Sequence, residues 1–334
     1  MKFETIPNSR LLAGLGVCLV VVFYCALLVG PVDISIVEAL IDWSRKESSI
    51  GSLILFDIRL PRALLALFIG ATLGLAGAAL QGLFRNPLAE PGIIGVSNGA
   101  ALGAVLVFYF GYANLAWFAL PFGGLAGALA SVVIIFMLIG DSRSNVTLIL
   151  AGVAINAIGG AMIALALNFA PNPYAIQEIV FWLLGSVSNR SINELMIALP
   201  FMLLGWVIIL YCGRFLNALT LGEETASSMG FDVKRLRWFL VIGVAACVGA
   251  AVSVAGNIGF IGLVVPHLIR PFVGYEPRRL LLASTLGGAI LLVVADIAVQ
   301  LLSSGGELKL GVITSLVGGP FFLFLILKTR NTLL

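Results

Sequence analysis

The sequence predicts an all-α, polytopic membrane protein: one domain over residues 1–334, with about ten transmembrane helices, one of them short or broken. Three observations carry that prediction. First, 60% of the residues are hydrophobic and only 10% are charged, where a soluble domain carries about 25% charged residues. Second, the mean hydropathy of +1.13 implies more apolar surface than one globular core can bury, so lipid must solvate much of it. Third, apolar stretches near the ~20 residues of a bilayer crossing recur along the whole chain. A net charge of +3 without a basic run excludes nucleic acid as a partner.

Taken in order, the stretches lie at 11–30, 62–84, 93–110, 115–139, 146–169, 194–212, 236–255, 280–302 and 310–327. The first follows Lys2 and Arg10, as a signal sequence would. It is long for a signal h-region, and no small-x-small cleavage site follows, so it reads as a retained span. Segment 258–268, between Gly256 and the Pro266-His267 pair, is too short to cross and reads as a half-length helix whose ends protein or a watery cavity must cover. Placing both termini in the cytoplasm puts thirteen basic residues, Arg10, Arg85, Arg143 and Arg214 among them, in inner loops and six in outer ones. The positive-inside rule favours that orientation. Small residues at four-residue spacing, Gly70 with Gly74, Gly95 with Gly99 and Gly103, and Gly123 with Gly127, predict close helix contacts. Segments 31–57, with Trp43, and 174–188, with Phe181 and Trp182, read as pieces lying at the outer membrane surface. The four cysteines fall in apolar stretches with no CxxC pair, and His267 is the lone histidine. They read as small buried hydrophobes, and neither a metal site nor a cofactor is expected.

Uphill transport would need an energy source that this chain does not carry. No GxxxxGK[ST] motif occurs, and Asp296 is the single acidic residue well inside a long span, where an ion-coupled carrier would keep carboxylate pairs. The longest cytoplasmic loop, LNALTLGEETASSMGFDVK at 216–234, reads as a short helix with Leu219, Ala226 and Met229 near one face and Gly230 closing it. Two segments break the helical pattern at membrane depth: QGLFRNPLAEP from Gln81 and GFIGLVVPHLIR from Gly259. Irregular backbone in two parts of a membrane chain points to a translocation path.

These segments, with RLPR from Arg59, QGLFRNPLAEPGIIGVSNGA from Gln81, LILAGVAIN from Leu148 and ELKLGVITSLVGGPFF from Glu307, resemble the FecCD-type permeases. Those are the membrane subunits of ATP-binding cassette importers for ferric siderophores, haem and vitamin B12. The resemblance runs from Arg59 to Leu327. It implies ten spans per subunit, a dimer with itself or a related permease, two ATPase subunits below and a periplasmic or surface binding protein above. Carried over position by position, Arg59 and Arg62 match outer arginines that dock the binding protein, while Gln300 stands where the family often has a further arginine. Asn86 and Leu88 match one half of a cytoplasmic gate, and Asn145 and Val146 the other. Leu219, Gly222, Glu223, Ala226, Met229 and Gly230 match the segment that couples to the ATPase. Asp296 and Asn156 are expected to bond between helices, since an unpaired polar group in hydrocarbon costs several kcal/mol.

The function the resemblance implies is import of an iron chelate, a ferric siderophore first, with haem and cobalamin next. The chain itself would perform no catalysis and would sit in the bacterial inner membrane. The alternative is an ion-coupled secondary transporter.

Overall fold

The computed structural model describes residues 7–47, 49–140, 145–303 and 308–330; Lys2, Arg143 and Glu307, used in the sequence reading, lie outside them. Helix α1 (Asn8–Leu28) leads to a short amphipathic α2 (Ile36–Ser44), whose Ser35 cap accepts the Glu38 N–H. α3 (Ile50–Leu53), a π-helical turn (Ile54–Arg59) and α4 (Leu60–Phe84) then run together as one 35-residue apolar helix. The sequence reading began this span at 62. A reciprocal Ser49–Ser52 capping box starts the helix earlier, and the π turn ends two residues before Pro61, which lacks an amide N–H and crowds the turn ahead of it.

After α4 come a 3-10 turn (Pro91–Ile94), α5 (Val96–Tyr109), α6 (Ala119–Ile139), α7 (Asn145–Asn168) and α8 (Pro173–Leu183). The ordinary span expected at 93–110 is corrected. α5 has 14 residues, about 21 Å of helix, because Gly95 at φ +76° ends the 3-10 turn in a left-handed conformation before the helix can begin. Segment 174–188 is helical as far as Leu183. Asn172 caps α8 through the Ala175 N–H; Ile179 and Trp182 are buried, while Tyr174 and Phe181 are exposed.

The second half contains α9 (Ile192–Tyr211), α10 (Gly213–Leu219), α11 (Glu223–Ser228), α12 (Val233–Ala255), α13 (Ile261–Ile269), α14 (Pro277–Leu302) and α15 (Leu310–Arg330). Among the described residues, seven helices are long and apolar enough to cross a membrane, and three shorter apolar helices accompany them. The chain is a multi-pass membrane protein.

Alternating direction along the chain sets two ends of the bundle, one marked by Arg59 and the other by Arg85. α4 and α12 are buried on nearly every side. α1 is almost bare, and both Cys18 and Cys25 on it are exposed, unlike Cys212 and Cys247. The expectation of four buried thiols fails there because α1 packs mainly on α14 along one narrow face. Close backbone contacts hold the core. A Cβ at Gly70 would stand 2.3 Å from the Gly288 carbonyl oxygen, and one at Gly103 would stand 2.1 Å from that of Gly123. Lipid gives apolar bulk no drive to associate, so such close packing must bind the helices. Gly95 serves the turn before α5 and packs closely on α7, where a Cβ would lie 3.0 Å from the Gly152 carbonyl oxygen.

Candidate functional site

The two irregular segments meet. Gly77 on α4 lets the chain at Gly262 approach until a Cβ there would lie 1.9 Å from the Gly262 carbonyl oxygen. Gln81, one turn on and buried, donates to the carbonyls of Gly262 and Leu263 at 3.3 and 3.4 Å, and its own carbonyl oxygen accepts from Arg270. The Glu90 carboxylate lies beside the backbone N–H of Phe260. Phe260 has φ +68° and no side-chain cap of its own for α13, so Glu90 supplies, from another segment, an anionic partner at that helix start. A left-handed bulky residue is strained, and the Phe260 ring is held against α15, where a Cβ at Gly318 would lie 2.2 Å from it.

Beside this junction lies a cavity of about 940 Å³. Its polar lining comes from Glu90, Ser97, Asn98, Asn156, Asn257 and Ser315, and the rest is apolar. Asn156 donates to the Gly92 carbonyl at 2.8 Å, and Asn98 donates to the Asn156 carbonyl at 3.3 Å. α7 is thereby tied to the 3-10 turn and to α5. Val153 and Leu316 line the cavity and are themselves 53% and 65% exposed, so the space is an open cleft on one face of the protomer. Sequence reasoning missed Glu90, Asn98 and Asn257 as lining residues. A carboxylate within a proline-rich apolar segment was the one available signal.

At the Arg85 end, α4 closes with Arg85 in a left-handed conformation, and the Asn86 side chain accepts the Leu88 N–H at 2.9 Å in a tight turn. Asn145 at the start of α7 donates to the Leu83 carbonyl at 3.5 Å. The segments holding Asn86 with Leu88 and Asn145 with Val146 are therefore neighbours in one protomer. Asn86 and Val146 are exposed, while Leu88 is half-buried.

The 216–234 loop differs from the single helix expected. It folds as α10 and α11, broken at Gly222, whose φ of +109° no L side chain adopts readily. Leu219 and Ala226 are buried on separate helices while Met229 is 57% exposed. Gly230, at φ +90°, follows the end of α11. Glu223 pairs with Arg237 of α12 at 2.7 Å, Arg237 being nearly buried. Asn217 on α10 accepts the Arg278 N–H at 2.8 Å and donates to Glu276 at 3.0 Å, gripping the start of α14. A groove of about 630 Å³, lined by Glu224, Ser227, Ser228 and Phe231, runs between α11 and α12. No motif in the sequence marks Asn217 or Arg237, since both partnerships depend on how the helices cross.

At the other end, Arg59 and Arg62 are turned inward. Arg59 is 5% exposed and donates to the Leu27 and Leu28 carbonyls at 2.8 and 2.7 Å, and to that of Val32. It satisfies carbonyls that the end of α1 leaves open, at the helix terminus that favours a cation. Arg62 binds Asp296 through both carboxylate oxygens, with Nη2–Oδ1 at 2.8 Å and Nε–Oδ2 at 2.9 Å. Gln300 donates to the same carboxylate at 3.0 Å. The four residues border a small cavity of about 280 Å³. The rim arginines expected from the sequence thus hold α1, α4 and α14 together, and Arg62 keeps 19% of its side chain exposed.

The FecCD transport family model matches residues 18–328. The hemin transport system permease protein HmuU of Yersinia pestis is 41% identical over 293 residues, covering 86% of this chain and 87% of that protein. The vitamin B12 import system permease protein BtuC of Vibrio cholerae is 37% identical over 329 residues, covering 97% and 95%. A solved structure of a transporter assigned to the metal-chelate type of ABC transporter, in an inward-facing conformation, superposes with a TM-score of 0.85 at 31% identity, covering 96% of this chain and 99% of that one.

Proposed function

This chain belongs to the FecCD transport family, and from that premise we propose that it lines the cargo path of an ATP-driven importer of metal chelates. The observation that carries the reading is the open cleft of about 940 Å³ where the re-entrant turn after α4 meets the broken helix α13. Non-helical backbone at membrane depth must be covered by protein or line water, and a path for a large cargo needs such a place. The cleft is half a channel. Facing copies related by a two-fold axis would close it, as an isologous interface does. Supporting this reading, the relatives include import permeases for hemin and vitamin B12.

ATP hydrolysis belongs to two separate ATPase subunits, which engage the α10–α11 pair through Leu219, Gly222, Glu223, Ala226, Met229 and Gly230. A binding protein delivers cargo at the Arg59 end, which faces outward, with both chain termini in the cytoplasm. Arg59, Arg62 and Gln300 shape that docking rim. Asn86, Leu88, Asn145 and Val146 form the cytoplasmic gate. The cargo is an iron chelate, a ferric siderophore in the first place. The test is uptake by proteoliposomes holding the permease with its ATPase, supplied with binding protein and labelled ferric siderophore, haem or cobalamin in separate arms. Uptake requiring ATP inside or outside according to orientation supports the reading. Uptake driven by a proton gradient without ATP overturns it in favour of a secondary carrier.

A further inference from the structure

Helix α14 has an unusual set of partners. It runs 26 residues with its one proline, Pro277, at the first position. At the Arg85 end its first turn is gripped by Asn217 of α10, which accepts the Arg278 N–H and donates to Glu276. In its middle, Gly288 and Ser284 lie against Gly70 and Gly74 of α4, so closely that a Cβ at Gly74 would stand 2.1 Å from the Ser284 carbonyl oxygen. On another side, Gly287 sits under Val265 and Ile269 of α13, the helix whose start borders the cleft. At the Arg59 end, Asp296, 2% exposed, takes two oxygens' worth of hydrogen bonds from Arg62 and a third bond from Gln300.

We propose that α14 is a rigid rod carrying motion between the α10–α11 loop and the Arg59 end, with Asn217 and Asp296 as the positioning residues that fasten its two ends. The rod spans about 27 Å from Arg278 to Asp296. A close-packed helix without a break shifts as a body, because packed interfaces are bistable and do not deform smoothly. The fastening at Asp296 is specific. A buried carboxylate cannot shed its arginine without leaving an uncompensated charge, so Arg62, and with it the π turn preceding α4, follows the rod. That turn is the locally irregular part of an otherwise regular helix, hence the part able to yield when the rod moves. This inference rests on the reading that nucleotide binding acts through the α10–α11 loop.

The experiment uses the full chain with its native cysteines removed, reconstituted with the ATPase partner and probed with fluorescein maleimide, with and without ATP plus vanadate. One reporter is Val146→Cys at the Arg85 end, and the other is Ile58→Cys in the π turn; both native side chains are well exposed, at 63% and 60%. Nucleotide is expected to change the labelling rate about threefold or more at each. Asn217→Ala and the isosteric Asp296→Asn should each reduce the Ile58→Cys response below about 1.5-fold while leaving the Val146→Cys response in place. The double variant should do no more than either single one, because the two fasten one element in series. Sites this far apart ordinarily add, so a double variant that combines two independent losses overturns the rod. So does an Ile58→Cys response that persists in both single variants, or one absent from the parent while Val146→Cys responds. Loss of both reporters' responses in the variants would mark the two residues as props of the fold, and overturns it too. A parent in which Val146→Cys ignores nucleotide refutes the coupling reading itself.

Discussion

Gly77→Ala is the sharpest probe of the junction beside the cleft. The added Cβ would lie 1.9 Å from the Gly262 carbonyl oxygen and 2.5 Å from the Gly262 carbonyl carbon and Cα. All three are backbone atoms, so no side chain can swing aside, and α13 must move away from α4 by more than about 1 Å to reach ordinary contact. Overpacking of this kind costs about 1–3 kcal/mol. The displacement also stretches the Gln81 bonds to Gly262 and Leu263, already 3.3 and 3.4 Å long. A buried amide left without partners adds about 1–3 kcal/mol. The expected total is about 2–6 kcal/mol, together with a reshaped cleft and slower uptake. Gly259→Ala is the matched control: it borders the same cleft, but its Cβ would meet nothing within 4 Å. Equilibrium unfolding in mixed micelles, and uptake in proteoliposomes, should separate the two variants. If Gly77→Ala unfolds within about 0.5 kcal/mol of Gly259→Ala, the spread usual for surface substitutions, the contact is not holding α13 in place.

Replacing Arg59 by Met should free the end of α1, because the Leu27, Leu28 and Val32 carbonyls lose their shared donor; stability should fall by at least about 1–3 kcal/mol, and protease cleavage near Gly30 should rise. Arg237→Met should leave the Glu223 carboxylate without its 2.7 Å partner and loosen α11 from α12. The expected readout is ATP hydrolysis less responsive to loaded binding protein, with unchanged response counting against the coupling assignment. Single cysteines at Leu88 or Val146 should crosslink between the two copies of a dimer with a short reagent in one nucleotide state and fail to do so in another. Crosslinking indifferent to nucleotide would move the gate elsewhere.

Much of the architecture was legible in the sequence because a bilayer imposes one rule on every span: an uninterrupted apolar run that satisfies its own backbone. The long helices, the break at Gly256, the paired glycines of α5 and α6, and the family all follow from patterns within short windows. Where local chemistry competed, the reading slipped. The Ser49–Ser52 capping box carried α4's helix back to Ile50, and the left-handed Gly95 cut α5 short. Gly222 broke the loop into two helices, which put Leu219 and Ala226 on separate helices.

The side-chain partnerships were a different matter. Arg62 and Asp296 are 234 positions apart, Gln81 and Arg270 are 189 apart, and Asn217 and Glu276 are 59 apart. The sequence by itself determined that this chain crosses a membrane many times, where its backbone breaks, and which family it resembles, because hydropathy and glycine and proline act over a few residues. Only the tertiary structure decided that Arg59 and Arg62 turn inward, that Glu90 lies beside the start of α13, and that α14 is held at both ends. Those outcomes depend on which helices cross at what distance, and a charge buried in a protein core must find its partner there, wherever in the chain that partner is encoded.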